Sequence, residues 1–162
     1  MNPIPDMDKP SGQSEAYDLT YFDGHKRRVY VTDDQFYLTN TMMIFSRTDT
    51  KGFITSVNLP FIEASGWEKE ELIGQPHYIL RHPHMPASAF EDLWSTLQAG
   101  KQWTGCVKNL RKDGGYYWVR AVVDPIIEDG KIVGYNSGRR RIDNATIKEH
   151  EALYAQLRAA EI

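Results

Sequence analysis

Cysteine, excess positive charge and long apolar runs are all scarce in this sequence. Its 162 residues include a single cysteine, Cys106, which excludes an internal disulfide, and it lacks the Cys/His spacing of a structural zinc site. Nineteen basic against 22 acidic side chains give a net charge of -3, which disfavours a nucleic-acid-binding protein. The apolar run at residues 42–45 is far shorter than the ~20 residues that cross a bilayer. Because no secretory signal is present either, we expect a cytoplasmic chain without a membrane segment.

Hydrophobic periodicity and turn residues predict an α+β domain built on a five-stranded antiparallel sheet. The predicted strands are residues 42–47, 53–57, 103–110, 116–124 and 132–140. Turns that contain Gly and Asp separate the first two strands and each pair of the last three, which favours hairpin connections. The predicted helices are residues 59–64, 68–72, 86–99 and 144–160. We expect the short helices and the longer third helix to cover one face of the sheet.

The two ends of the chain differ from this central domain in composition and hydrophobic pattern. Residues 1–40 are predicted to form an N-terminal arm or cap, partly disordered, in which the first 15 residues are poorly ordered because Pro, Asp, Ser and Gly predominate. Residues 41–142 form the predicted domain, and residues 143–162 a C-terminal amphipathic signalling helix. The apolar stripe of that helix is thin, as is typical of a helix that leaves its domain and meets a partner chain.

Several short motifs lie in register along the predicted domain. They include Gly-Gln-Pro-His at residues 74–77, Leu-Arg-His-Pro-His-Met-Pro at residues 80–86 and Tyr-Trp-Val-Arg-Ala at residues 117–121. With the element order, these motifs resemble the flavin-binding PAS domain of bacterial aerotaxis receptors. The resemblance implies a PAS fold that binds FAD between sheet and helices. It also implies a redox or oxygen sensor for aerotaxis-type (energy taxis) signal transduction.

A flavin site needs a flat apolar slot, amide groups for the ring edge and cations for the phosphates. The candidate cofactor-binding residues are Asn58, Arg81, His82, His84, Phe90, Trp94 and Asn109. The resemblance places Phe90 and Trp94 in the pocket, although both also suit a plain core. Asn109 shares a strand face with Val107, and a buried amide without a partner costs about 1–3 kcal/mol, so a ligand edge or the nearby turn must satisfy it.

The remaining candidates have two interpretations each. Asn58 suits either a helix N-cap or a flavin contact. Arg81, His82 and His84 place three potential cations in a proline-rich loop, which suits either diphosphate binding or a solvated surface. The family more often carries an acid where this chain has His84. This difference leaves the choice between FAD and FMN as the cofactor open, with FAD favoured.

Other functional classes find weaker support in the sequence. A light-oxygen-voltage photosensor needs a cysteine where the motif alignment places His77, whereas a haem-binding domain could use His77, His82 or His84. No nucleophile motif or phosphate loop indicates an enzyme. We therefore predict a flavin sensor, as a receptor fragment or a stand-alone protein, that forms a homodimer or docks on a chemoreceptor or kinase domain. In this hypothesis a redox change reaches the terminal helix through Asn109, and a cofactor-free or haem-binding relay module is the alternative.

Overall fold

The computed structural model describes residues 4–161, so the first three residues of the predicted arm and the last residue of the predicted C-terminal helix lie outside it. The elements are β1 (Glu15–Thr20), β2 (Lys26–Val31), β3 (Ile44–Thr48), β4 (Ile54–Val57), α1 (Leu59–Ser65), α2 (Lys69–Leu72), a 3₁₀ turn (His77–Leu80), α3 (Ala87–Gln98), β5 (Trp103–Leu110), β6 (Tyr116–Glu128), β7 (Lys131–Arg140) and α4 (Asn144–Ala160). The α+β prediction is confirmed.

The main sheet has five strands in the order β4-β3-β7-β6-β5, and every neighbouring pair is antiparallel. The two predicted hairpins among β5, β6 and β7 are confirmed, as is the hairpin between β3 and β4. In that last turn the Asp49 carboxylate accepts hydrogen bonds from the backbone N–H groups of Lys51 at 2.9 Å and Phe53 at 3.0 Å. Gly52 follows with a φ of +88°, a conformation that favours glycine.

The helices α1 and α2, the 3₁₀ turn and α3 pack on one face of the main sheet, as predicted. The core between them contains fully buried side chains from both layers, among them Phe61 and Leu72 from the helices and Ile44, Tyr117 and Val119 from the strands. Burial of this apolar surface is the main stabilising contribution to the domain, at about 25 cal/mol per Å². It also fixes the helical layer over the strands, where the cavity described below lies.

The start of the described chain is packed on the domain, which differs from the expectation that the first 15 residues are poorly ordered. Strands β1 and β2 form a separate two-stranded antiparallel sheet, and Ile4 and Met7 before it are buried in the main core. Arg27 is also buried and donates to the carbonyl oxygens of Pro5 at 3.0 Å and Ile79 at 3.3 Å. Single anchors of this kind leave no periodic apolar pattern, so sequence composition alone indicated disorder.

Helix α4 folds back onto the sheet, whereas its thin apolar stripe had indicated a helix that leaves the domain. Ile147 and Tyr154 are buried in a cluster with Cys106 and Trp118. Because neighbours along a strand point to opposite faces, Cys106 faces away from the side that α1–α3 cover. The Tyr154 hydroxyl donates to the Cys106 carbonyl at 2.6 Å. Across residues 4–161 no helix is long and apolar enough to span a bilayer.

Candidate functional site: a cavity between sheet and helices

A cavity of about 430 Å³ lies between the sheet and the helical layer. Its walls are mostly apolar and come from α3 and from strands β5, β6 and β7; they include Leu93, Leu97, Trp103, Val107 and Tyr135. A cavity of this size and lining is typical of sites for small organic ligands and cofactors. The helix periodicity explains the wall, because Phe90, Leu93, Trp94 and Leu97 recur on one face of α3.

Trp94 lines the cavity and packs edge to face with Tyr135. Its ring centroid lies 5.5 Å from that of Tyr135 with the planes at 78°, and both residues line the cavity. Gly52 lies directly beside it, since a Cβ atom added there would be 3.4 Å from the Trp94 ring. Trp94 is therefore both a packed side chain and a flat apolar wall for a ligand.

Arg139 provides a buried positive charge in this apolar wall. It is 2% exposed, its Nη2 donates to the Ser46 hydroxyl, and its guanidinium carbon lies 4.9 Å from the centre of the Phe61 ring. Among residues 4–161 its Nε has no hydrogen-bond partner, and Arg139 takes part in no ion pair. Burial lowers the pKa of Arg139 to about 10, so it stays charged at neutral pH.

His77 lies next to this guanidinium and also lines the cavity. Its Nε2 is 3.3 Å from Nη1 of Arg139. Burial, and then the charge of Arg139, lower the pKa of His77 to about 3, so the ring is neutral and can accept from the guanidinium. Asn109 and Ser137 line the same cavity, and Asn109 is only 4% exposed. These groups give an apolar slot a cationic and hydrogen-bonding edge.

The structure brings four of the seven candidate residues to the cavity. They are Arg81, Phe90, Trp94 and Asn109. The Arg81 guanidinium carbon lies 4.9 Å from the centre of the Phe90 ring, and its Nε is buried without a hydrogen-bond partner among residues 4–161. Burial lowers the pKa of Arg81, yet the group remains a cation at neutral pH. Asn58, His82 and His84 are outside the cavity lining.

Asn58 is the N-cap of α1, so its assignment to the flavin site is not supported by the structure. Its Oδ1 accepts from the backbone N–H groups of Phe61 at 3.2 Å and Phe45 at 3.1 Å, and its Nδ2 donates to the Met43 carbonyl at 2.9 Å. These backbone partners occupy both ends of the amide. Asn58 also borders a groove that Arg120 and Arg140 line, away from the cavity.

His82 and His84 lie outside the cavity lining, so the structure does not bring them to the cavity with Arg81. His82 is 0% exposed, and its Nδ1 accepts from the backbone N–H of His84 at 3.0 Å. The two ring nitrogens of His84 lie 3.0 Å from Lys108 Nζ and 3.3 Å from the Tyr17 hydroxyl. Burial, and then Lys108, lower the pKa of His82 to about 2 and that of His84 to about 4, so both are neutral.

Most of the cavity lining was not predicted as site residues. Among the residues that were missed are Tyr21, Phe22, His77 and Arg139. Arg139 had a usable signal, since Tyr135, Ser137 and Arg139 alternate on one face of a central strand. Its position in a run of three arginines instead indicated a solvated strand end. The hairpin residues had no such signal, because nothing local shows what a two-stranded sheet packs on.

Comparison with known proteins places this geometry in a family. Residues 54–137 match the family model described as the PAS fold. The chain is 45% identical over 130 residues to the aerotaxis receptor of Escherichia coli strain K12, covering 80% of this chain and 26% of that protein. It is 29% identical over 98 residues to a nitrogen fixation regulatory protein of Klebsiella pneumoniae, covering 60% of this chain and 20% of that one.

A solved light-oxygen-voltage domain, studied with a flavin analogue, has a similar fold. Its TM-score is 0.61 at 22% identity, over 68% of this chain and 88% of that domain. The chain thus matches most of a single sensor domain. In contrast, it spans only about a quarter or less of the two longer curated relatives, at 26% and 20% of their lengths.

Proposed function

This chain belongs to the PAS-fold family, and from that premise we propose that it is a flavin-binding redox sensor for aerotaxis-type signalling. The resemblance to an aerotaxis receptor supports the signalling role, and the cavity supports the flavin. A bound flavin would supply reversible electron transfer coupled to protonation of its ring. No nucleophile motif or phosphate loop gives the chain an enzymatic role in this proposal.

The observation that carries the proposal is the buried Arg139 guanidinium in a mostly apolar cavity. A buried cation without a nearby carboxylate is costly unless something else satisfies it. A flavin ring presents carbonyl oxygens along one edge, and these would accept from the unpartnered Nε of Arg139. The positive charge would also favour added electron density at that edge, while Asn109 offers an amide and Trp94 a flat wall.

The same arrangement suggests how the cavity communicates with α4. The Tyr154 hydroxyl of α4 donates to Cys106 in β5, a strand whose other face lines the cavity. At the end of α4, the Glu161 carboxylate accepts from the backbone N–H groups of Ala87 at 3.1 Å and Ser88 at 3.0 Å, where α3 begins. Helix α4 is thus attached to two cavity-lining elements, and a small shift in either would change the population of its docked state.

The chain's organisation follows from this arrangement. We assign residues 1–40 as a cap, residues 41–142 as the sensor and residues 143–162 as the output helix. Because the two curated relatives are much longer, we expect the output helix to act on a further signalling region, in a homodimer or on a chemoreceptor or kinase partner in the cytoplasm.

The absorption spectrum of the purified full chain, with mass spectrometry of any ligand released on denaturation, tests the proposal. We expect two flavin bands that bleach on chemical reduction, no lasting light-induced adduct, and FAD in the released fraction. Trp94→Ala and Asn109→Ala should lower flavin occupancy, while Asn58→Ala, outside the cavity, should keep it. A Soret band would instead indicate haem, and a colourless protein that flavin cannot reconstitute would indicate a cofactor-free relay domain.

A further inference from the structure

The turn between β1 and β2 lies against the cavity and is fixed there by an aromatic stack. Tyr21 and Phe22 of this turn line the cavity together with Tyr78. The rings of Tyr21 and Tyr78 are stacked with centroids 3.9 Å apart and planes at 6°. Asp23 accepts a hydrogen bond from the Tyr78 hydroxyl at 2.7 Å. The turn is therefore held at the cavity by both a stack and a hydrogen bond.

Two polar atoms at this end of the cavity have no partner among residues 4–161. One is the hydroxyl oxygen of Tyr21, which is 3% exposed, and the other is Nε of Arg81. Glu161 acts on Arg81 electrostatically, but it makes no ion pair with it and accepts instead from the start of α3. Tyr21 also interacts electrostatically with Arg81, and an O–H donor near a guanidinium that has no ion pair is a donor set suited to a phosphate group.

Phe22 adds a flat apolar surface next to these donors. It is 78% exposed although it lines the cavity, and its only described ring contact is edge-on with Tyr78, with centroids 5.9 Å apart. An exposed aromatic face beside a phosphate-binding pair is suited to stack on a nucleobase, because every base presents a π-face.

We propose that Tyr21, Phe22 and Arg81 form a second subsite that binds the diphosphate and nucleobase of a flavin dinucleotide. The N-terminal hairpin is then part of the cofactor site, and it makes the chain selective for FAD over FMN. This inference rests on the proposed flavin function, since it concerns the distal half of the same ligand. In this inference the hairpin contacts the diphosphate and the nucleobase, whereas the main sheet lines the part of the cavity that holds the flavin ring.

Equilibrium dialysis of the ligand-free full chain against riboflavin, FMN and FAD tests this subsite. FMN differs from riboflavin by one phosphate, and FAD differs from FMN by a second phosphate and an adenosine. We expect the wild-type chain to bind FAD at least about fivefold more tightly than FMN, as one stacked base provides. Phe22→Ala should reduce this FAD-to-FMN ratio to near one with FMN affinity unchanged. Tyr21→Phe keeps the stack and should weaken FMN and FAD by roughly tenfold while leaving riboflavin unchanged.

The outcomes separate this inference from the proposed function. Tyr37→Ala is the matched control, because Tyr37 is 69% exposed and lies outside the cavity lining. If wild type binds all three flavins equally, or if Phe22→Ala keeps the FAD-to-FMN ratio, the subsite is refuted while flavin binding stands. If wild type binds none of the three, the proposed function fails and the subsite fails with it.

Discussion

Replacing Arg139 by methionine should make the ligand-free protein more stable while it weakens flavin binding. Burial lowers the pKa of Arg139 to about 10, a shift that corresponds to about 3 kcal/mol against the charged form in the folded state. At pH 7 the guanidinium is charged in both the folded and the unfolded chain, so the whole penalty lowers folded-state stability. Methionine has a similar length, carries no charge and can pack on Phe61.

The gain is partly offset by hydrogen bonds that the substitution removes. Arg139 donates to Ser46, and its Nη1 lies 3.3 Å from His77 Nε2; each such bond contributes about 1 kcal/mol. The expected net change is therefore about 1 kcal/mol of added stability, or a Tm increase of roughly 2–4 °C for a chain of this size. Urea and thermal unfolding of the ligand-free protein at pH 7 measure the first effect, and flavin titration the second.

Arg140→Met is the matched control for this experiment. Arg140 is the next residue on β7, is exposed and borders the groove on the other face of the sheet, so neither stability nor flavin affinity should change appreciably. If Arg139→Met were less stable than wild type and bound flavin equally well, Arg139 would be a structural core residue. The electrostatic argument for the site would then be wrong.

Three further predictions follow from α4, the α1 cap and a buried histidine. Tyr154→Phe keeps the ring stacked on Trp118 but removes the hydroxyl that donates to Cys106, so amide hydrogen exchange across α4 should become roughly fivefold faster. Asn58→Ala removes the α1 cap and should lower the free energy of unfolding by about 1 kcal/mol with flavin affinity unchanged. Because burial lowers the pKa of His82 from 6.5 to about 2, stability should fall as pH drops below 6.5, by about 2 kcal/mol at pH 5, and His82→Gln should remove that part of the acid sensitivity in urea unfolding.

Each of these predictions has an outcome that contradicts it. If amide hydrogen exchange became faster throughout the Tyr154→Phe variant, and not mainly in α4, the substitution would have destabilised the whole domain. Tyr37→Phe, which changes an exposed tyrosine, is the control for this measurement. Loss of flavin binding in Asn58→Ala would return Asn58 to the cofactor site. Equal acid sensitivity of wild type and His82→Gln would show that burying His82 does not oppose its protonation.

The five strands of the main sheet were predictable because their signals are local, and the largest extension of a predicted boundary has a physical reason. The predicted strand 116–124 ends before Pro125, yet β6 continues to Glu128. Pro125 pairs with Tyr135 of β7, whereas the pairing of β6 with β5 ends at Val123. Residues after Val123 therefore have a neighbour on one side only, and a proline without an N–H group is tolerated there.

The site was predictable where a residue's environment follows from its own element. Phe90 and Trp94 face the cavity because helix periodicity places them there, and Asn109 because strand alternation does. His84 could not be placed from its own loop, because its ring nitrogens contact Lys108 and Tyr17, which lie far away in sequence. A polar side chain does not reveal from its own sequence position whether a distant element covers it.

Three unpartnered polar atoms in the cavity lining argue for a ligand in the cavity over a pocket filled by the chain's own side chains. Buried polar groups in native proteins are nearly always hydrogen-bonded, so each exception needs a reason. Among residues 4–161, Tyr21, Arg81 and Arg139 each have such an atom, and all three line the same cavity of about 430 Å³. A relay domain without a cofactor would gain stability by replacing these groups with apolar ones, since these three atoms have no hydrogen-bond partner among residues 4–161. An anionic, hydrogen-bonding ligand in the cavity would offset their cost, and occupancy of the cavity would then stabilise the elements that hold α4.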